Sequence, residues 1–423
     1  MVFNTSLPDR MYSHKVTGEP MTEDFDFYSD EFQQNPGATF KRMREHCPFH
    51  HSEVNGWYSV FRYEDIQNIV RDNETYSVKF GPGPLHAEPG TGAVLVSADP
   101  PLHGKQKQAI ISAFNPDTIA DMEDGIRAFV TQRLNELIPN GECDLIQDIA
   151  IQIPMWVICN MLDLDYERDW KRLREWVEVL AGSVFTKEED ESQLKARAEI
   201  AKSLINFFVP HIQKKLDLDI AGEDAGNDLI GLLAKGRVDG ERISMGEMLS
   251  FAQFLLVAGS GTTTNLIGNF VDLMLRHPDQ YDLLKKDPGL MDQAIEEVLR
   301  YEAPVHGLFR TNNVELQLGE HTIEPDSKIC LMWGSANRDP EIYDNPDSFD
   351  ITRDLKLLRQ NMTFGRGLHK CLGAPLARLE CKVFVEEFMR RVRAFERNGD
   401  AVPFPYATLN GLDHLPIRFL DAS

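Results

Sequence analysis

Apolar residues recur along most of this chain at the three- and four-residue spacing of buried helix faces. The clearest run opens at Ser244-Met-Gly-Glu247, a capping box in which Ser and Glu serve each other's orphan amides, and stops near His277-Pro278. Some 30 residues at ~1.5 Å each predict a helix of about 45–50 Å, long enough to cross a domain. Its middle, FAQFLLVAGSGTTTNLIGNF, is apolar on nearly every side, which predicts burial all round. Gly259, Gly261 and the threonines 262–264 run against helix propensity, at ~1 kcal/mol per glycine and several tenths per threonine. Two readings stand. Either helices cross closely at the glycines while the hydroxyls bond back to the preceding turn, or the helix opens locally beside a bound group.

A second amphipathic helix opens at Ala374-Pro375, with apolar positions at Leu376, Leu379, Val383, Phe388, Val392 and Phe395. Short β-branched or aromatic runs predict strands at Trp57–Arg62, Gly307–Thr311, Val314–Leu318 and Lys328–Met332. Lys79–Val94 is too rich in Gly and Pro for regular structure and reads as a surface loop or a mobile cover over a site. Asp217–Asp228 reads as an ordinary solvated connection. No repeat or low-complexity linker divides the chain, so the expected fold is mainly α with smaller β-sheets (α+β), in one continuous domain over residues 1–423.

Charge narrows the function. The 67 acidic residues against 44 Lys and Arg give a net −23, which disfavours nucleic acid and anionic lipid as partners. The first 20 residues lack the pattern of a secretion signal, and no run of about 18 apolar residues predicts a membrane span, so the expectation is a soluble, cytoplasmic protein acting as a monomer. Six cysteines are scattered without paired spacing.

Cys371 stands apart because of its neighbours. In Phe364-Gly-Arg-Gly-Leu-His-Lys-Cys-Leu-Gly373, glycines flank a cysteine that sits just before a helix N-terminus and beside Lys370. Helix amides and a cation lower a thiol pKa and favour thiolate. Such a thiolate can be an axial ligand to haem iron, with the glycines bending the backbone beneath a flat macrocycle. One His and one Cys supply only half of a tetrahedral zinc site, and no second pair appears.

FGRGLHKCLG matches the haem-binding pattern F-G-x-G-x-H-x-C-x-G at every defined position, and in this the chain resembles the cytochrome P450 family, from about Trp57 to Pro416. The resemblance implies haem b held by Cys371, with Phe364 and Gly373 in the same loop. It implies a brace in which Glu297 and Arg300 of AIEEVLRYEAP join Arg353. It also implies propionate partners in His369, Arg310, His103 and Lys107, the last two being i, i+4 on a helix after DPPLHGK. The family more often has Arg where this chain has Lys107.

Ala258-Gly-Ser-Gly-Thr-Thr263 is similar to the family's distal motif A-G-x-D/E-T-T. Ala258 and Gly259 would leave room for dioxygen, and Thr262 would be the distal hydroxyl. Gly261 replaces the usual Asp or Glu, which leaves three readings of proton delivery: Ser260, Asn265 and waters; a substrate group; or slower, leakier turnover. By the same analogy Phe80, Val184, Phe185, Leu255, Val305, Leu308 and Leu412 line an apolar pocket, with His306 as the polar residue that fixes a substrate oxygen.

The implied activity is hydroxylation or O-dealkylation of a small to medium apolar compound, such as a terpenoid, aromatic or fatty molecule. Dioxygen is consumed, and electrons arrive from a ferredoxin served by a flavoprotein reductase. Lys105, Lys107, Arg366 and Lys370 would steer that ferredoxin. The rival readings are a peroxide-using or non-oxygenating haem-thiolate enzyme and a non-catalytic haem protein.

Overall fold

The computed structural model describes residues 24–87, 93–186, 188, 190–318 and 321–422. The long helix runs unbroken from Met245 to Arg276, with both capping-box bonds formed: Glu247 N–H donates to Ser244 Oγ at 3.2 Å and Ser244 N–H to Glu247 Oε2 at 2.9 Å. It passes through the main apolar core, packed by the helices Gln152–Met161, Tyr166–Phe185 and Glu191–Ala221 on one side and Ala374–Arg391 on the other. Residues 263–274 are buried throughout, as their composition predicts. One face of the preceding two turns is not: Ala258 is exposed and Gly259, Gly261 and Thr262 are half-buried.

The helix does not open at its centre. Ser260 Oγ donates to the Leu256 carbonyl (2.8 Å), Thr262 Oγ1 to Ala258 (3.1 Å) and Thr264 Oγ1 to Ser260 (3.0 Å), so the hydroxyls bond back one turn. Gly259 lies against Ile158, whose Cδ1 would stand 3.4 Å from an added Cβ, whereas an added Cβ at Gly261 would meet nothing within 4 Å. An added side-chain carbon would thus reach ordinary contact at the first glycine and open space at the second, so close crossing demands neither.

The largest sheet has five strands. Phe49–Ser52 pairs antiparallel with Trp57–Val60, which runs parallel to Lys328–Leu331. Leu308–Asn312 follows antiparallel, and Tyr76–Ser77 closes the other edge. Phe25, Phe27, Phe32, Phe40, Trp57, Phe61 and Phe309 pack on one face, and Val60, Ile66, Ile329, Leu331 and Trp333 belong to the core on the other. Strand alternation then puts Leu308 and Arg310 on the face opposite Phe309.

The four predicted strands form within two residues of their expected limits, at Trp57–Val60, Leu308–Asn312, Leu316–Leu318 and Lys328–Leu331. Three expectations change. The C-terminal helix stops at Arg391, because Val392–Arg397 is claimed as a strand by Pro416–Ala422. Asp217–Asp228 is half helix, since Glu191–Ala221 continues until Gly222 caps it at φ 76°. Phe49–Ser52 was not expected as a strand because two histidines interrupt its apolar pattern. No helix among the described residues is long and apolar enough to cross a membrane.

Candidate active site: a cysteine floor beneath the long helix

The cysteine loop is shaped by its glycines. Gly365 (φ 63°) and Gly367 (φ 68°) occupy left-handed backbone, and a Cβ on Gly367 would stand 2.7 Å from the Val70 carbonyl. Cys371 N–H donates to the Phe364 carbonyl at 2.8 Å, closing the loop just before the helix Ala374–Arg391. The Cys371 side chain is accessible, yet it lies deep and is ringed by protein. Burial pushes its thiol up, and this outweighs the opposing pull of the Gly373 and Ala374 amides, Arg378 and Lys370. Helix amides and cations thus act in the expected direction, and burial of the side chain acts against them.

Two buried networks hold this loop. Glu297 and Arg300, both fully buried, form a bidentate pair (2.6 and 2.7 Å), and Arg353 Nε reaches Glu297 Oε1 at 3.2 Å. Arg300 also donates to the carbonyls of Asn337 (3.1 Å), Pro346 (2.7 Å) and Ser348 (3.0 Å). Asn337 carries the contact onward: its Oδ1 accepts from Met362 N–H (2.6 Å) and its Nδ2 donates to Thr363 Oγ1 (2.8 Å), at the entry to the cysteine loop. A second brace was missed in the sequence. Glu296 holds Arg378 at 2.6 and 3.1 Å, and that guanidinium lies 4.5 Å from the Phe364 ring centroid. Two adjacent glutamates on a helix buried on most sides were its signal.

Four basic side chains converge above the loop. His103, on the helix Leu102–Ile110, stacks edge-on with His369 at 4.4 Å, and Arg310 and Lys107 stand close enough to perturb them. Burial, then Arg310, His103 and Lys107, lowers His369 to about 3. Burial and Lys107 lower His103, and burial lowers Arg310 to about 10. His103 Nδ1 and His369 Nε2 are buried with no partner among the described residues, and Arg310 donates only to the Phe309 carbonyl (3.3 Å). Two cations and two imidazoles with orphaned ring nitrogens, with Asp99 as a nearby carboxylate, fit the propionates of a haem.

On the long helix, Leu255, Ala258, Gly259 and Thr262 share one face at i, i+3, i+4 and i+7. Ser260 does not. It is 2 % exposed and its hydroxyl is engaged by Leu256, so it is turned into the core and away from the open face. Asn265 is equally buried, with Nδ2 unpartnered among the described residues.

This arrangement can be compared with known proteins. Cytochrome P450 107B1 of Saccharopolyspora erythraea is 32 % identical over 95 % of this chain and 99 % of its own length. The chain belongs to the cytochrome P450 family. The Cytochrome P450 family model matches residues 280–412, which include the Glu297 pair and the cysteine loop. Erythromycin C-12 hydroxylase of the same organism is 33 % identical over 89 % of this chain and 92 % of its own. The structure of cytochrome P450 CYP109Q5 from Chondromyces apiculatus superposes with a TM-score of 0.82 at 30 % identity, covering 95 % of this chain and all of that one. The protein is a P450 monooxygenase with haem b as its cofactor.

Within this P450 the expected pocket is brought together only in part. Val305 bridges Leu409, which sets the 305–308 and 409–412 segments side by side; Leu255 and Leu412 belong to the main core, and Val305 and Leu308 to the core on one face of the sheet. Val184 is half-buried at the end of the helix Tyr166–Phe185, while the side chain of Phe185 lies outside the described residues. Phe80 turns to the rim, its ring held by His86 (4.8 Å) and Lys79 (4.9 Å). His306 is a correction. It is 3 % exposed among Phe32 (5.1 Å), Phe40 (5.9 Å) and Phe27 (6.5 Å), and burial lowers it to about 4, so it is a core residue on the aromatic side of the sheet. The basic patch also shrinks. Lys105 pairs with Asp239 at 2.5 Å, Arg366 is bonded to the Gln360 carbonyl, and Lys107 belongs to the inner cluster, which leaves Lys370 exposed.

Proposed function

We propose that this P450 hydroxylates or O-dealkylates a small to medium apolar compound, using dioxygen and two electrons delivered singly by a ferredoxin. The observation that carries the reading is the cysteine loop with its basic cluster: Cys371 stands just before the helix Ala374–Arg391, and His103, Arg310 and Lys107 gather around His369 of the same loop. Bound haem supplies the chemistry of dioxygen activation. Cys371 is its thiolate ligand, and His103, Lys107, Arg310 and His369 hold its propionates.

The residues themselves determine access and protons. Thr262 Oγ1 donates to Ala258, which leaves its lone pairs directed at the cleft to accept from water. Open space at Gly261 admits a water where a carboxylate would stand, and the unpartnered Asn265 amide is a donor for such a chain. Ser260 takes no part. The apolar Leu255, Val305, Leu308 and Leu412 suit a weakly polar substrate, and the relative named for hydroxylating erythromycin at C-12 supports carbon hydroxylation. A ferredoxin would approach the Lys370 side.

The test is turnover of a terpenoid, aromatic and fatty-acid panel with isotopically labelled dioxygen, NADPH, reductase and ferredoxin. One labelled oxygen per product molecule is expected. Product formed only with added peroxide would replace the proposal with the peroxide-using reading, for which the missing acid at Gly261 is the motivating feature.

A further inference from the structure

Lysine is among the residues least often buried without a partner. Lys328, the first residue of the strand Lys328–Leu331, is 4 % exposed and forms no ion pair among the described residues. Its Nζ instead donates to three backbone carbonyls, those of Phe80 (2.9 Å), Gly81 (3.1 Å) and Gly83 (2.9 Å). An ammonium has three N–H donors on a tetrahedral nitrogen, so the count matches and each donor is used. Burial pulls this ammonium down, to about 7, while the three carbonyl dipoles act in the opposite direction. A methionine would fill the same space without the desolvation cost, so the charge must provide something other than packing.

The segment it holds is the described part of the Gly/Pro-rich loop. Gly81 turns it at φ 81°, and Phe309 N–H donates to the Pro82 carbonyl (3.0 Å), one residue before Arg310. Gly83 lies so close to the end of the helix Tyr166–Phe185 that an added Cβ would stand 1.9 Å from the Val184 carbonyl. The loop is thus wedged between the strand that reaches the basic cluster and the helix end at the cleft margin. A pocket of about 380 Å³, lined in part by Trp57, Pro84, His86 and Lys328, lies beside it.

We infer that Lys328 is the positioning residue for this loop: its ammonium clamps the carbonyls of Phe80, Gly81 and Gly83 and thereby sets how readily a bulky ligand enters and leaves the cleft. The inference rests on the proposed placement of the substrate next to this loop, and the probes are chosen to separate the two. Imidazole and the bulky 1-(triphenylmethyl)imidazole both ligate ferric haem, so stopped-flow absorbance reads their association and dissociation.

In Lys328→Met, both rates for the bulky probe should rise about fivefold or more while those for imidazole stay within about twofold. Equal changes for both probes, or none for either, would overturn the clamp. Failure of imidazole itself to bind wild-type protein would instead remove the underlying haem-site reading. Should Lys328→Met not fold, Lys328→Gln and hydrogen exchange on the wild-type holoenzyme decide. The Phe309 amide, bonded to Pro82, should be protected in wild type and faster in Lys328→Gln, and an unprotected Phe309 amide in wild type would refute the clamp.

Discussion

The two walls of the cleft are built on different principles. The cysteine wall is fixed by buried charge: Glu297, Arg300 and Arg353, then Asn337, and independently Glu296 with Arg378. The opposite wall is an apolar helix whose open face carries only small side chains and one hydroxyl, bordered by a loop that a single ammonium holds. Buried ion pairs lose heavily when one partner is removed and tolerate little rearrangement. Apolar packing with glycines allows graded change. A P450 needs the first behaviour beneath its cofactor and the second around its substrate.

Breaking the cysteine wall should have the largest effects. Cys371→Ala should abolish the thiolate spectrum of the reduced carbon monoxide complex together with monooxygenase activity. Glu297→Gln leaves Arg300 and Arg353 buried without their charge partner, and destabilisation of about 3–5 kcal/mol is expected, read as poor haem incorporation and a lower denaturant midpoint. A variant that loads haem fully at wild-type stability would show that the buried network is not what holds the loop.

Changes on the opposite wall should spare folding and alter coupling. Thr262→Ala should keep haem content and reduce product per electron about tenfold, with peroxide accounting for the difference. Gly261→Glu, where an added Cβ meets nothing within 4 Å, should change the same ratio by a few-fold; unchanged coupling would mean that proton supply is not limited by the missing acid. The smallest effect belongs to the outer surface. Lys370→Glu should raise the KM for ferredoxin two- to fivefold at low salt, with kcat for substrate little changed and the difference fading as salt is added. Lys105→Glu serves as its control, since Asp239 already neutralises that lysine.

The same contrast explains what the sequence could tell. Cys371 is read from residue type and short spacing, because the chemistry permits few substitutes, while the roles of the Glu297–Arg300 pair and of the four basic residues come from the resemblance. Arg353 lies over 50 positions from Glu297 and was reachable only by resemblance. Asn337 and Lys328 were not reachable: each acts by presenting donors to backbone carbonyls or accepting from amides, and backbone partners leave no mark in a sequence. His306 failed for another reason. The chain bends at His306, before the strand begins at Leu308, so parity along the strand could not tell which side of the sheet the imidazole would join. Val392 and Phe395 fit a helical stripe as well as a strand face, and only the partner strand Pro416–Ala422 decides between them.

Gly261 has a consequence in evolutionary terms. Each glycine codon differs by one base from a codon of either aspartate or glutamate, and an added Cβ here would meet nothing within 4 Å. An acid at this position is therefore a single mutational step away. That makes position 261 a ready first choice for laboratory selection of faster or better-coupled variants, and a place where sister lineages can diverge in oxygen economy while keeping the same fold.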